Sequence, residues 1–217
     1  MKRLSLPPLN PFATRRLRLG ALPYWDPDLH LPELVERFAQ AGYRGAVIGP
    51  HGSGKSTLVY TLTEQFRARI AAIRWLSILG TAHGLQFSWR PLASEPPRLL
   101  TMRPAASRPS ELWIVDGFDA LNWLARLGLS RFCHRQGIGL LVTAHAPTNV
   151  PTLVRTVPTL STFLHLAEVV QADASFRLPA EELIHCYQAA RGNLREAFFL
   201  AYDRYSQRRK DDSPASV

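Results

Sequence analysis

Apolar positions recur along the chain with two different spacings. Leu31, Leu34, Val35 and Phe38 fall at i, i+3, i+4 and i+7, one face of a short helix that Gly42 closes. Gly45-Ala46-Val47-Ile48 is a compact apolar run and predicts a strand, and residues 56–66 return to helical spacing. A second strand is expected over residues 71–80, and Glu111–Val115 reads as a buried strand ending in Asp116. A helix is predicted from Ala120 to Gln136, with Gly128 as a candidate break, then an apolar strand from Ile138 to Thr143. Residues 161–172, 180–191 and 193–208 carry helical patterns. The Pro- and Ser-rich stretch from Thr81 to Pro109 has no clear period, beyond one short strand expected around Arg98–Met102. Strands alternating with helices predict an α/β domain with a mostly parallel sheet and a small C-terminal helical lid. The expected boundaries are a Pro-containing basic arm over 1–28, an α/β core over 29–158, a helical lid over 159–210 and a polar tail over 211–217.

Composition narrows the classes. Of 217 residues, 46% are apolar and 20% charged, a balance that fills a core and argues against wholesale disorder. No apolar run approaches the roughly 18 residues of a membrane helix. Pro7, Pro8 and Pro11 interrupt any signal-peptide core after Lys2 and Arg3, so a cytoplasmic location is expected, with no membrane partner. Cys133 and Cys186 are isolated, which predicts two buried free thiols. The formal net charge is +9, and 23 of the 26 basic residues are Arg. Lys occurs only at positions 2, 55 and 210, so Lys55 is the one lysine inside the expected fold.

Gly49-Pro50-His51-Gly52-Ser53-Gly54-Lys55-Ser56 follows an apolar strand, opens a helix and fits GxxxxGK[ST] in full. Gly49, Gly52 and Gly54 permit torsions and close approach that a Cβ would forbid. The loop amides are then free to converge on phosphate oxygens at a helix N-terminus. Lys55 is expected to reach the β- and γ-phosphates, Ser56 to ligate Mg²⁺, and the Thr57 hydroxyl to meet the α-phosphate. A compact ammonium kept in an arginine-dominated chain fits that task.

Asp116 ends its strand 61 residues after Lys55 and is the expected second holder of Mg²⁺. Directly after it, where many hydrolysing ATPases carry Glu, stands Gly117, and the next acid is Asp119. Asp119 has two readings, polarising an attacking water or capping the helix from Ala120. Thr143 ends the next strand and is a candidate to touch the γ-phosphate or the water, with His145 a weaker one. Asn193-Leu194-Arg195-Glu196 reads as N-cap, N1, N2 and N3 of a helix, in a capping-box variant. Arg195 is then a cation in a first helical turn, where a bound γ-phosphate would compensate it and bulk solvent is the plainer alternative. Leu194, Phe198, Ala201 and Tyr205 form an apolar stripe read as packing. No acid lies between Asp119 and Glu168, and Arg126, Arg131, Arg135 and Arg155 there are candidates for an arginine finger in an oligomer or for a solvated basic face. Tyr24 and Trp25 are candidates to line a base.

Taken together, Gly49–Thr57, Trp-Ile-Val-Asp-Gly-Phe-Asp at 113–119, Leu-Val-Thr at 141–143 and Gly-Asn-Leu-Arg-Glu-Ala at 192–197 resemble P-loop NTPases of the additional-strand type, near the AAA and STAND (NACHT-like) ATPases. The resemblance spans roughly residues 30–208 and implies a three-layer αβα fold, with Walker A and Walker B functions at the loop and at Asp116. It also implies that Gly-Asn-Leu-Arg acts as a second sensor. The expected function is an ATP-binding, Mg²⁺-dependent ATPase or ATP-driven switch, in which Arg195 couples hydrolysis to the C-terminal helices, with a homo-oligomer or protein partner. Two alternatives stand beside it. One is a helper ATPase whose Arg15, Arg16, Arg18, Arg204, Arg208, Arg209 and Lys210 bind nucleic acid. The other is a P-loop small-molecule phosphotransferase.

Overall fold

The computed structural model describes residues 10–81, 84–93 and 108–211. The strand expected around Arg98–Met102, the first nine residues of the arm and residues 212–217 of the tail lie outside the described residues. Within them the chain is α/β, with seven α-helices and a six-stranded sheet ordered β3-β2-β4-β5-β1-β6. The strands are β1 (Arg44–Ile48), β2 (Ala72–Thr81), β3 (Gly84–Ala93), β4 (Glu111–Asp116), β5 (Gly139–Ala144) and β6 (Thr152–Arg155). Every pairing is parallel except the antiparallel β2–β3 hairpin at one edge. The helices are α1 (Thr14–Leu17), α2 (Leu31–Gln40), α3 (Lys55–Arg67), α4 (Trp123–Arg135), α5 (Leu160–Val170), α6 (Ala180–Ala189) and α7 (Leu194–Asp211). Among the described residues no helix is long and apolar enough to cross a membrane.

The chain divides into two compact units. The first, Pro27–Pro50 with Lys55–Thr156, holds the sheet. Its central strand β5 pairs with β4 on one side and β1 on the other, and all six of its residues are buried. A strand covered on both faces needs continuous apolar sequence, which Gly-Leu-Leu-Val-Thr-Ala supplies. One sheet face, with Ala46, Ile48, Leu76, Ile78, Val115, Leu140 and Val142, packs on Phe118, Leu121 and Cys133 from the α4 side. The other face meets α2 and α3. Phe38 and Phe66 lie with ring centroids 5.1 Å apart, and Tyr60 lies 6.5 Å from Trp75. Leu34, Val35 and Phe38 are the buried face of α2, as their spacing predicts, and Leu58, Val59, Leu62 and Phe66 bury that of α3. Each such side chain contributes roughly 1.5–3 kcal/mol on full burial. Helices on both faces are consistent with a three-layer arrangement.

Two strands differ from the sequence expectation. The hairpin partner β3 occupies part of the stretch that showed no clear period, and β6 is a four-residue edge strand bounded by Pro151 and a loop to Pro158. Helix α4 also runs through Gly128 without a break and starts later than expected, after a 3-10 turn over Phe118–Ala120. A Cβ at Gly128 would meet nothing within 4 Å, so the glycine there is neither a packing nor a kinking position.

The second unit comprises the described parts of Met1–Asp26, His51–Gly54 and Val157–Val217. Its core joins Phe12 to Phe163, Leu183, Phe198 and Tyr205, and the stripe Leu194, Phe198, Ala201 and Tyr205 is buried. The N-terminal segment belongs to this core. Phe12 is 1% exposed, Asn10 Nδ2 donates to the Tyr202 carbonyl at 2.8 Å, and Trp25 stacks on His165 at 4.1 Å. Arg15, Arg16 and Arg18 remain exposed on its surface.

Cys133 and Cys186 are both buried and free. Burial pushes the Cys133 thiol up to about 11, with nearby Arg44 offsetting it only in part. Neither thiol is therefore expected to react with a disulfide reagent in the native protein at mildly alkaline pH, whereas both react in denaturant. Because the folded thiol ionises later than the unfolded one, Cys133 contributes stability fully below the unfolded pKa. That contribution is lost as pH climbs towards 11. Native labelling of Cys133 at a rate matching a free thiol would contradict the packing.

Candidate functional site

The loop between β1 and α3 is shaped by two glycines. Gly52 (φ +71°) and Gly54 (φ +84°) adopt the left-handed region, and Gly49 is not among the positive-φ residues, so its expected torsional role is not observed. Gly49 is buried, and its N–H donates to the Ala144 carbonyl at 3.2 Å, tying the loop entry to the end of β5. A Cβ on Gly52 would stand 1.9 Å from Asn193 Oδ1. Asn193 is the cap that the sequence predicts: its Oδ1 accepts from Glu196 N–H at 3.2 Å. A Cβ on Gly54 would lie 3.1 Å from the Tyr24 ring, and the Tyr24 hydroxyl donates to Asp26 at 3.3 Å. Burial raises the Tyr24 phenol, and Asp26 raises it further. Ser53 is 3% exposed, while Pro50 and His51 are exposed and Thr57 is half-buried.

Lys55 is the first residue of α3, one position before the expected start, and is only 9% exposed. Its Nζ donates to the Gly49 and Pro50 carbonyls, both at 2.7 Å. Burial holds its pKa below the usual lysine value, and the charges of Asp119 and Asp116 partly restore it. The fold thus brings an ammonium, two loop carbonyls and two carboxylates into one electrostatic neighbourhood.

Ser56 and Asp116, far apart in sequence, are in direct contact. Ser56 Oγ donates to Asp116 Oδ1 at 2.9 Å and Oδ2 at 3.0 Å. Thr143 Oγ1 donates to Asp116 Oδ1 at 2.5 Å and accepts from Gly117 N–H at 2.9 Å. The pairing of Val115 with Val142 sets this up, because the next residues on the two strands, Asp116 and Thr143, then share a sheet face. Thr143 is 1% exposed with its hydroxyl proton committed to Asp116, so it positions that carboxylate instead of reaching outward as expected. Among the described residues no group of three or more His, Cys, Asp or Glu side chains forms a metal cluster. One hydroxyl beside one carboxylate is instead a hard-oxygen pair of the kind that suits Mg²⁺, which keeps waters and substrate phosphates as its other ligands.

Asp119 is not a helix cap. Asn122 caps α4, its side chain accepting from Ala125 N–H at 2.8 Å. Asp119 Oδ2 accepts from the His145 backbone N–H at 3.0 Å and contacts the His145 ring Nδ1 at 2.5 Å. Burial pushes the Asp119 carboxyl up, but the His145 backbone and ring hydrogen bonds outweigh it and leave the group below the ordinary carboxylate range. Arg126 binds the carbonyls of Leu121 (2.7 Å) and Asp119 (3.4 Å), which gives it a local role at the start of α4. Arg131, Arg135 and Arg155 are exposed, as is Arg195 in the first turn of α7 in the helical unit. Trp25 stacks on His165.

The structure thus brings Lys55, Ser56, Asp116, Asp119, Thr143 and His145 together at the C-terminal ends of β1, β4 and β5. The Asp119–His145 pairing was not anticipated from sequence. The available signal was that both residues follow closely after the polar ends of two strands. No protein-family model matches the chain, and no curated protein matches it in sequence.

Proposed function

We propose that this protein binds ATP with Mg²⁺ and hydrolyses it, as an ATP-driven switch of the additional-strand P-loop type. The observation that carries the reading is the direct Ser56–Asp116 contact beside the buried Lys55 ammonium. A complete phosphate-loop motif and a strand-terminal acid converge as a nucleotide–magnesium site requires. The strand order adds support, since β5 stands between the loop strand β1 and the acid strand β4. Absence of an Asn-Lys-x-Asp guanine motif favours ATP over GTP.

In this reading the loop amides that follow Pro50, through Ser56, cradle the phosphates, Lys55 contacts the β- and γ-phosphates, and Thr57 contacts the α-phosphate. Ser56 and Asp116 would hold Mg²⁺, which supplies charge neutralisation for the phosphates. Thr143 keeps Asp116 aimed by its short hydrogen bond. Asp119, the acid not engaged by Ser56 or Thr143, serves the attacking water. Within the helical unit, Gly52 abuts Asn193, the cap of α7.

The test is equilibrium titration with ATP, with and without Mg²⁺, followed by phosphate release from the same samples. Mg²⁺-dependent binding is expected in the wild type. Asp119→Asn is expected to bind ATP normally and to turn over ~10²–10⁴-fold more slowly, the range for losing general-base assistance. Absence of Mg²⁺-dependent binding would remove the reading, and normal hydrolysis by Asp119→Asn would remove the role of that acid.

A further inference from the structure

We propose that the sheet face on which Phe87 and Trp89 are exposed, beside Arg131 and Arg135, binds single-stranded nucleic acid, with bases stacked on the two rings. The inference goes beyond the ATPase reading and does not depend on it.

Strand pairing puts the rings on one face. Ile78 pairs with Phe87 and Leu76 with Trp89, while Leu76 pairs on its other side with Val115. Paired residues share a face and alternate residues return to it, so Phe87, Trp89 and Trp113 stand on the face that packs on α4. Under β2 that face is sealed, with Leu76 and Ile78 buried. At the β3 edge it is open: Phe87 is 56% exposed, Trp89 51%, and Phe132 of α4 47%.

The rings are held by their neighbours. Trp113 meets Trp89 edge to face with centroids 5.4 Å apart, and Phe132 lies 5.8 Å from Trp113 on its other side. Trp113 Nε1 donates to Glu111 Oε1 at 2.8 Å, and Arg74 pairs with the same carboxylate. An aromatic surface fixed in advance binds flat rings at little conformational cost. Phe87 and Trp89, two residues apart on one strand, are separated by about 6.8 Å. That is about twice the ~3.4 Å rise per nucleotide of a stacked strand, so successive bases of an extended strand can each cover one ring.

Charge decides the occupant. An edge strand invites a second copy, and Gly84–Trp89 carries none of the charges that usually prevent it. The chain, however, has a net charge of +9, and α4 carries Arg126, Arg131 and Arg135 with no acid. Arg126 binds backbone carbonyls, whereas Arg131 and Arg135 are exposed and enter no ion pair among the described residues. Arg135 lies one turn on from Phe132, so the cations stand beside the aromatic face. Two such faces repel each other. A strand that offers bases to the rings and phosphates to the guanidiniums satisfies both.

The test is fluorescence anisotropy of a labelled single strand of about 12 thymidines, titrated with the full chain at about 0.15 M salt without ATP. Expected is salt-sensitive binding, tighter than that of a duplex of the same length. Phe87→Leu keeps an apolar side chain but removes the π-face, and is expected to cost about 5- to 100-fold in affinity, which Phe87→Tyr restores. Arg131→Gln combined with Arg135→Gln is expected to flatten the log–log salt slope by about 1.4. These side chains are exposed, so circular dichroism should be unchanged in every variant. Absence of wild-type binding, a Phe87→Leu affinity within about threefold of wild type, an unchanged salt slope or a preference for duplex overturns the proposal. Sedimentation as a dimer, or capture by phosphatidylserine vesicles, without oligonucleotide binding also overturns it and assigns the face to a second copy or to a lipid surface.

Discussion

Lys55→Ala is expected to lower ATP·Mg²⁺ affinity by at least ~100-fold, beyond detection in an ordinary titration. A hydrogen bond to a charged group is worth about 1.5–3 kcal/mol, and Lys55 is assigned two phosphate groups, so the loss corresponds to two or more factors of ten. The structure adds a second cost. The ammonium stands in the field of Asp119 and Asp116, and alanine leaves those two carboxylates to meet a polyanion without a protein cation between them. Lys55→Arg is expected to fail nearly as badly. A planar guanidinium is not equivalent to the compact head that fits between the Gly49 and Pro50 carbonyls. Circular dichroism should show both variants folded, because the hydrophobic clusters are built from apolar side chains and Lys55 is not a member of them. Retained affinity in Lys55→Ala would mean that the loop does not hold a triphosphate.

The second large effect is expected at Gly117, where alanine should cost about 3 kcal/mol or more of folding stability, read as a lowered urea midpoint. Gly117 has φ +83° and ψ +36°, a left-handed conformation that costs an L-residue ~1–2 kcal/mol by itself. The added Cβ would also stand 2.3 Å from the Ile78 carbonyl, a backbone atom of the neighbouring strand β2 that cannot swing aside. Relief requires the β4 terminus to move, and the Gly117 N–H to Thr143 bond moves with it. Asp116 is thereby disturbed through Thr143. Gly117→Glu, which would place an acid directly after Asp116, is expected to destabilise the protein for the same reason. A change below about 1 kcal/mol in Gly117→Ala would show that the turn after β4 is differently shaped.

Legibility in the sequence followed the range of the interactions. The glycine-rich loop after β1, the Asn193 cap and the α2 face depend on residues within a few positions of one another, and each was readable as a spacing. Strand β3 was readable in principle, since Leu85, Phe87 and Trp89 alternate with Gln86, Ser88 and Arg90. The signal was missed because its neighbourhood is dense in Pro and Ser, and because these large side chains do not sink into a core; Phe87 is 56% and Trp89 51% exposed. Strand β6 has four residues, too few for a period of two to stand out. The Asp119–His145 pair depends on β4 and β5 being neighbours, a tertiary fact that no local pattern carries. The same holds for Thr143: its position near the end of β5 was readable, but its hydroxyl turns to Asp116 because the adjacent strand offers a carboxylate at hydrogen-bonding distance.

The distribution of tryptophan gives the two units separate optical reporters. Trp75, Trp89, Trp113 and Trp123 all belong to the sheet unit, and Trp25 alone belongs to the helical one. The four differ sharply in surroundings, from Trp75 at 2% exposure to Trp123 at 69%, with Trp89 and Trp113 edge-to-face at 5.4 Å. Intrinsic fluorescence of this protein is therefore mainly a signal of the sheet and its edge hairpin. Trp25, stacked on His165, contributes a component that responds to the imidazole against it, so a single-tryptophan variant retaining only that indole would let the helical unit be watched by itself.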